Sequence, residues 1–152
     1  MIELLAGELG TVVHLGAGKC GEIEDYCRLG AKLILLVEAL PELAAFLKSF
    51  ESHHDRIRVK QMALSGESGV YHAHVCRNIR MDAGQHEELY LVNPTGLLVD
   101  RPSIRGVRTE NFKTCTISEI CEDLWFSGSN DLLVLELQGI EVELLNATPG
   151  NL

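Results

Sequence analysis

The chain has no run of lysine or arginine. Its 13 basic and 22 acidic residues leave a formal net charge of −9. An acidic surface repels phosphate backbones, which argues against nucleic acid as a partner, although one basic cluster of Arg101, Arg105 and Arg108 runs the other way. No CxxC pair occurs among the five cysteines (Cys20, Cys27, Cys76, Cys115, Cys121), so neither a zinc ribbon nor a disulfide framework is suggested. They read as reduced, mostly buried thiols of a cytoplasmic protein. The longest unbroken apolar run, Leu33 to Val37, is far short of the ~18–20 residues that span a bilayer, and MIELLAGELG lacks the basic segment of a signal peptide. No internal repeat or low-complexity tract is present. A membrane partner is not expected. The 152 residues are enough for one domain with a single sizeable core, and 46% hydrophobic with 23% charged residues is the balance of a globular chain.

The first half alternates two periodicities. Val12, Val13 and Leu15 form a short apolar run ending at Gly16, the pattern of a buried strand. Glu22 to Leu29 places Ile23, Tyr26 and Cys27 at helical spacing, with Gly30 as a stop. Lys32 to Ala39 is apolar on both faces, as a central parallel strand should be. Pro41 opens a helix carrying Leu43, Ala44, Leu47 and Phe50 on one face. Arg56 to Met62 alternates Ile57 and Val59 with polar residues, suggesting a strand nearer the sheet edge. This alternation predicts an α/β fold: a mostly parallel sheet with helices on both faces.

Ser65 to Gly69 reads as a turn and Val70 to Cys76 as a strand. Arg77 to Asn111 is polar and carries Pro94 and Pro102, which predicts a long excursion with little regular structure. Thr116 and Glu119 form a capping box ahead of an apolar stripe of Ile117, Ile120, Cys121 and Leu124. Asp131 to Leu145 reads as a buried strand, a glycine at Gly139 and a helix start, with Pro149 and Gly150 as the stop.

The chemistry concentrates at VVHLGAGKCGE, Val12 to Glu22. Gly16, Gly18 and Gly21 fit G-x-G-x-x-G after a strand and before a helix, and Glu38 ends the next strand, where it could accept hydrogen bonds from the hydroxyls of an adenosine ribose. Two cofactors fit: a dinucleotide, with its pyrophosphate on the helix N-terminus, or S-adenosylmethionine, with its methionine end at the glycine turn. A tight turn in an unliganded α/β domain is the plain alternative.

Further along, Ala63, Leu64 and Ser65 after the third strand, then TISEI, then Glu136, Gln138, Gly139 and Glu141 form a series that resembles the FkbM-type family of S-adenosylmethionine-dependent methyltransferases. The resemblance runs over most of Val12 to Leu145 apart from the polar middle, and its last motif is the most specific part. It implies a Rossmann-like class I methyltransferase fold in one domain over 1–152, with S-adenosylmethionine as cofactor. It also implies O-methylation of a small-molecule or sugar hydroxyl. The implied cofactor contacts are His14, Gly16, Ala17, Gly18, Gly21, Glu38, Ala39, Ala63 and Leu64, and Glu136 is the implied catalytic position. His14 stands where the family carries an acidic residue that helps hold the methionine ammonium, and Val134 where it carries a lysine. The family's last strands have no counterpart here. The expectation is therefore an excerpt of a longer protein, a remnant, or a subunit completed by a partner or a second copy at an open sheet edge. A catalytically silent binding or assembly module and an NAD-dependent oxidoreductase are the alternative functions.

His72, His74 and Cys76 share one strand face and could offer metal ligands, but Tyr71, Ala73 and Val75 facing the core would turn them to water. No metal site is expected. His53 and His54 read as solvated helix-end residues, Cys20 as a conceivable nucleophile without a His/Asp partner, Glu141 as a first-turn acid, and Trp125 and Phe126 as core.

Overall fold

The computed structural model describes residues 9–80, 86–92, 104–122, 124, 130–137 and 139–148. Four strands form a parallel sheet: β1 (Thr11–Leu15), β2 (Leu33–Glu38), β3 (Ile57–Gln61) and β8 (Leu132–Leu135), in the order β3-β2-β1-β8 with all three pairings parallel. Two short helices, α1 (Ile23–Arg28) and α2 (Pro41–Glu51), make the crossovers between β1, β2 and β3. The interior strands are covered on both sides: every residue of β1 is buried, and in β2 all but Leu33. β3 lies at an edge, as its alternation predicts, and exposes every residue after Ile57 at least partly.

Because side chains alternate across a strand, neighbours in β1 feed two different cores. Val12, with Ile34, Leu36 and Ile57, packs against Ile23 and Tyr26 of α1 and Leu47 of α2. Val13 and Leu15, with Leu35 and Val37, pack on the opposite face against α3 (Ile117–Cys121) and α4 (Glu141–Ala147) through Ile117, Ile120 and Leu144. Each fully buried leucine or isoleucine in these clusters contributes about 1.5–3 kcal/mol relative to exposure. The capping box forms at α3: the Thr116 hydroxyl accepts from the Glu119 N–H at 3.2 Å, and the Glu119 carboxylate accepts from the Thr116 N–H at 2.7 Å.

The middle of the chain differs from the sequence expectation. The strand read at Val70–Cys76 is present within β5 (Gly69–Arg80), but where the sequence predicts an irregular excursion from Arg77 onward stand the end of β5, β6 (His86–Val92) and most of β7 (Ile104–Cys115), which with β4 (Ala63–Leu64) form a second four-stranded sheet in the order β4-β7-β5-β6. β5 pairs antiparallel with both β6 and β7. Antiparallel ladders satisfy their backbone groups strand to strand and need no apolar run, so a polar sequence can build them. Pro94 and Pro102, which suggested irregularity, lie outside the described residues. Ala73, Val75 and Phe112 pack one face of this sheet against Leu40 and Ala63, and Tyr71 joins them.

His72 is exposed on β5, opposite that packed face. The side chains of His74 and Cys76, as well as Gln138, Trp125, Phe126, Pro149 and Gly150, lie outside the described residues. His53 and His54 are exposed after α2, as expected of helix-end residues. Arg108 is paired with Glu42 of α2 and Glu110 of its own strand, while Arg101 and the Arg105 side chain lie outside the described residues. The four cysteines with described side chains are free thiols, Cys20 and Cys115 buried and Cys27 and Cys121 half-buried. No described helix is long and apolar enough to cross a membrane.

Candidate functional site

β1, β2 and β8 all point their carboxyl ends to one side, and the residues singled out in the sequence gather there. Gly16 follows β1 directly in a left-handed conformation, φ +76°. A Cβ at this position would stand 2.4 Å from the Glu136 carbonyl oxygen, so only glycine lets the first turn pass so close to the end of β8. The Gly16 and Ala17 N–H groups both donate to the Val37 carbonyl, at 2.9 and 3.0 Å, which ties the turn to β2. Gly18 is also left-handed, φ +56°, but nothing lies within 4 Å of where its Cβ would be. That side of the turn is open.

Glu38, at the end of β2, reaches back to this turn. Its Oε2 accepts from the Gly18 N–H at 2.8 Å and its Oε1 from the Leu40 N–H at 2.8 Å. The residue is only 6% exposed. Burial raises its carboxyl above the ordinary glutamate range, and the hydrogen bonds from Leu40, Gly18 and Ala39 offset part of that rise. Ala39 is half-buried beside Leu40, and Ala63 is buried in that same cluster. Leu64 packs on the Val37 side of the parallel sheet. Gly21 has neither a positive φ nor crowding at its Cβ position. The left-handed position after Gly18 falls instead on Cys20, φ +44°, the only non-glycine residue with positive φ among the described residues.

His14 is fully buried on the α1 side of β1. Its Nδ1 lies 3.0 Å from the Tyr26 hydroxyl and 3.5 Å from the Cys20 sulfur. Its Nε2 is buried without a hydrogen-bond partner and faces the Glu136 carboxylate at 3.7 Å. Burial lowers the imidazole pKa, partly countered by Glu136 and Glu22, so the ring is neutral near pH 7. A carboxylate opposite Nε2 favours the tautomer with its proton there, leaving Nδ1 to accept from Tyr26 O–H. That phenol holds its proton firmly, since burial raises its pKa. Burial likewise pushes the Cys20 thiol up to about 12, so it is a protonated, packed thiol rather than a nucleophile.

Glu136 itself is 58% exposed at its side chain, while its N–H is fixed by the Leu15 carbonyl at 2.9 Å. The loop behind it is held by Glu141, whose carboxylate accepts from the Leu137 N–H at 2.8 Å and the Gly139 N–H at 2.9 Å. Glu141 thus acts on the loop as well as on the first turn of α4.

The cluster of His14, Cys20, Tyr26 and Glu136 was not foreseen as a unit. Strand and helix periodicity place each residue on its own element but do not say which face of α1 meets which strand residue. No protein-family model matches the chain, and no curated protein sequence matches it.

Proposed function

We propose that this chain binds S-adenosylmethionine at the carboxyl ends of β2, β1 and β8 and methylates a hydroxyl of a small molecule or sugar, as the FkbM-type methyltransferases do. One observation carries the reading. The sheet order runs from β1 outward through β2 to β3 on one side and to β8 on the other. Gly16 and Glu136 meet at that switch of direction, the place where open α/β sheets hold their ligands.

The residues present fit the cofactor. Gly18 leaves open space on the turn for a close-approaching ligand. An ionised carboxylate offers about four acceptor positions, and Glu38 accepts from the main-chain N–H groups of Gly18, Leu40 and Ala39, which leaves capacity for a ribose hydroxyl. His14 Nε2 is buried without a hydrogen-bond partner, and as an N–H donor it suits the carboxylate of the methionine end better than its ammonium. Ala39, Ala63 and Leu64 supply small apolar contacts on the adenine side.

When bound, S-adenosylmethionine supplies a methyl carbon on a sulfonium that departs as a neutral thioether. The protein must hold the acceptor oxygen about 3–3.5 Å from that carbon and take the hydroxyl proton. Glu136 is the group placed for this: its carboxylate is exposed to an entering acceptor, and its backbone is fixed by Leu15. It accepts the proton or orients the hydroxyl, then releases the proton to solvent.

A second reading, a cofactor-free binding or assembly module, is favoured by the burial of Glu38 and the main-chain bonds on both its oxygens. Calorimetry with S-adenosylmethionine and its demethylated product separates the two. The methyl-donor reading expects heat from the natural chain, reduced in Glu38→Ala and in Gly18→Asn, a substitution that tolerates the left-handed backbone while filling the open side. No heat from a natural chain shown to be folded favours the module. Fluorescence titration with NADH tests the oxidoreductase alternative.

A further inference from the structure

Beneath the glycine turn, one ring nitrogen of His14, the sulfur of Cys20 and a carboxylate oxygen of Glu22 all lie within 4.8 Å of one another. We propose that these three residues bind a thiophilic divalent cation of the zinc class, with Glu136 supporting His14 from behind.

The donor set is that of zinc: thiolate sulfur, imidazole nitrogen and carboxylate oxygen. Distances agree. Zn–S of about 2.3 Å and Zn–N of about 2.0–2.1 Å at a tetrahedral angle put sulfur and nitrogen about 3.5 Å apart. The Cys20 sulfur lies 3.5 Å from His14 Nδ1. Nδ1 is therefore the ligating atom. Two of the three residues, His14 and Cys20, are buried, and Glu22 is half-buried at the N-cap of α1, where a fourth ligand water has access.

The second, independent observation is the orphaned Nε2. His14 is fully buried, and this nitrogen has no hydrogen-bond partner yet faces the Glu136 carboxylate at 3.7 Å. Histidines that ligate a metal through one nitrogen commonly donate the other N–H to a carboxylate, which fixes the tautomer and strengthens the ligand. With the metal on Nδ1, the proton must sit on Nε2, and Glu136 is the carboxylate placed to receive it. The Tyr26 hydroxyl, now 3.0 Å from Nδ1, gives up that hydrogen bond when the metal takes the lone pair. Binding displaces the Cys20 thiol proton to solvent and changes no oxidation state.

The proposal does not rest on the cofactor reading: the chain can bind zinc and not S-adenosylmethionine, or the reverse. The test uses the chain freed of metal by a chelator. Cobalt(II) is titrated in and followed by absorption, then displaced by zinc, with zinc affinity measured by calorimetry. One equivalent of cobalt is expected to give a near-ultraviolet thiolate charge-transfer band that zinc removes and excess magnesium does not. The band is lost in Cys20→Gly, a substitution the left-handed backbone accepts. Zinc affinity falls at least 10-fold in Glu22→Gln, a half-buried site whose change spares the core, and about 10–100-fold in Glu136→Gln. No band from the natural chain overturns the proposal. So does a band undiminished in Cys20→Gly, or unchanged zinc affinity in folded Glu22→Gln.

Discussion

Glu38 and Gly18 are joined by a 2.8 Å hydrogen bond, carboxylate to main-chain N–H, and the other oxygen of the same carboxylate holds Leu40. One buried acid thus pins the glycine turn after β1 to the start of α2. Glu38→Ala leaves both N–H groups without their acceptor, at a cost of about 1–3 kcal/mol for each that stays dry. Urea unfolding is expected to show the loss, and a variant as stable as the natural chain would mean that water replaces the carboxylate freely.

The same residue sets a pH dependence. Its folded pKa lies above its unfolded one because burial penalises the charge. Between the two values the folded chain keeps a proton that the unfolded chain has released. Stability from this group is therefore complete below the unfolded pKa, falls as pH rises through the window and levels off above the folded pKa. Subtracting the urea-unfolding profile of Glu38→Gln, measured from about pH 4 to 8, isolates this downward slope. Equal slopes in the two proteins would contradict it.

Gly16 and Gly18 look alike in sequence but differ in what surrounds them. Gly16→Ala combines a left-handed penalty of about 1–2 kcal/mol with crowding against the Glu136 carbonyl worth about 1–3 kcal/mol. Gly18→Ala incurs only the first, because its Cβ meets nothing within 4 Å. Thermal unfolding should rank Gly18→Ala clearly above Gly16→Ala, and the reverse order would refute the close approach of β8.

Cys20 occupies a backbone shape suited to glycine. Cys20→Gly relieves about 1–2 kcal/mol of strain and gives up the packing of one small buried side chain, so its stability should stay within about 1 kcal/mol of the natural chain. Cys20→Val, β-branched at positive φ, should be strongly destabilised. Denaturant midpoints for the pair check both.

Thr116→Ala removes the hydroxyl that accepts from the Glu119 N–H and should cost about 0.5–2 kcal/mol, with Thr116→Ser recovering most of it. Identical midpoints for Ala and Ser would show that the Thr116 hydroxyl adds nothing to α3 beyond the Glu119 carboxylate and the packing of Ile117 and Ile120.

The parallel sheet was legible because burial on both faces leaves a coarse signature: apolar runs at Val12–Leu15, interrupted only by His14, and at Leu33–Val37, each followed by a helical stripe. Of the second sheet, only the Val70–Cys76 part of β5 was legible, by its alternation. The rest of that sheet is polar, and the pairing of β5 with β7 slips between Val75 and Arg77, where the two-residue alternation breaks. At the turn after β1, turn chemistry and strand position make Gly16, Gly18 and the neighbouring Glu38 legible as residues that come together. Gly21 was chosen by spacing, whereas the backbone places its third left-handed residue at Cys20. The contact of His14 with Tyr26 depends on how α1 rotates against β1, which no local pattern encodes.

The side-chain bond from the Thr11 N–H to Asp131 spans 120 residues, and β1 has β8 as its only partner on that flank. A ribosome adding about 5–20 residues per second completes β1 roughly 6–24 s before it reaches β8. Through that interval the nascent β1–β2–β3 unit carries an unzipped flank at the very strand that bears the site. That flank stays open to a chaperone or to the exit-tunnel surface until β8 emerges to cover it.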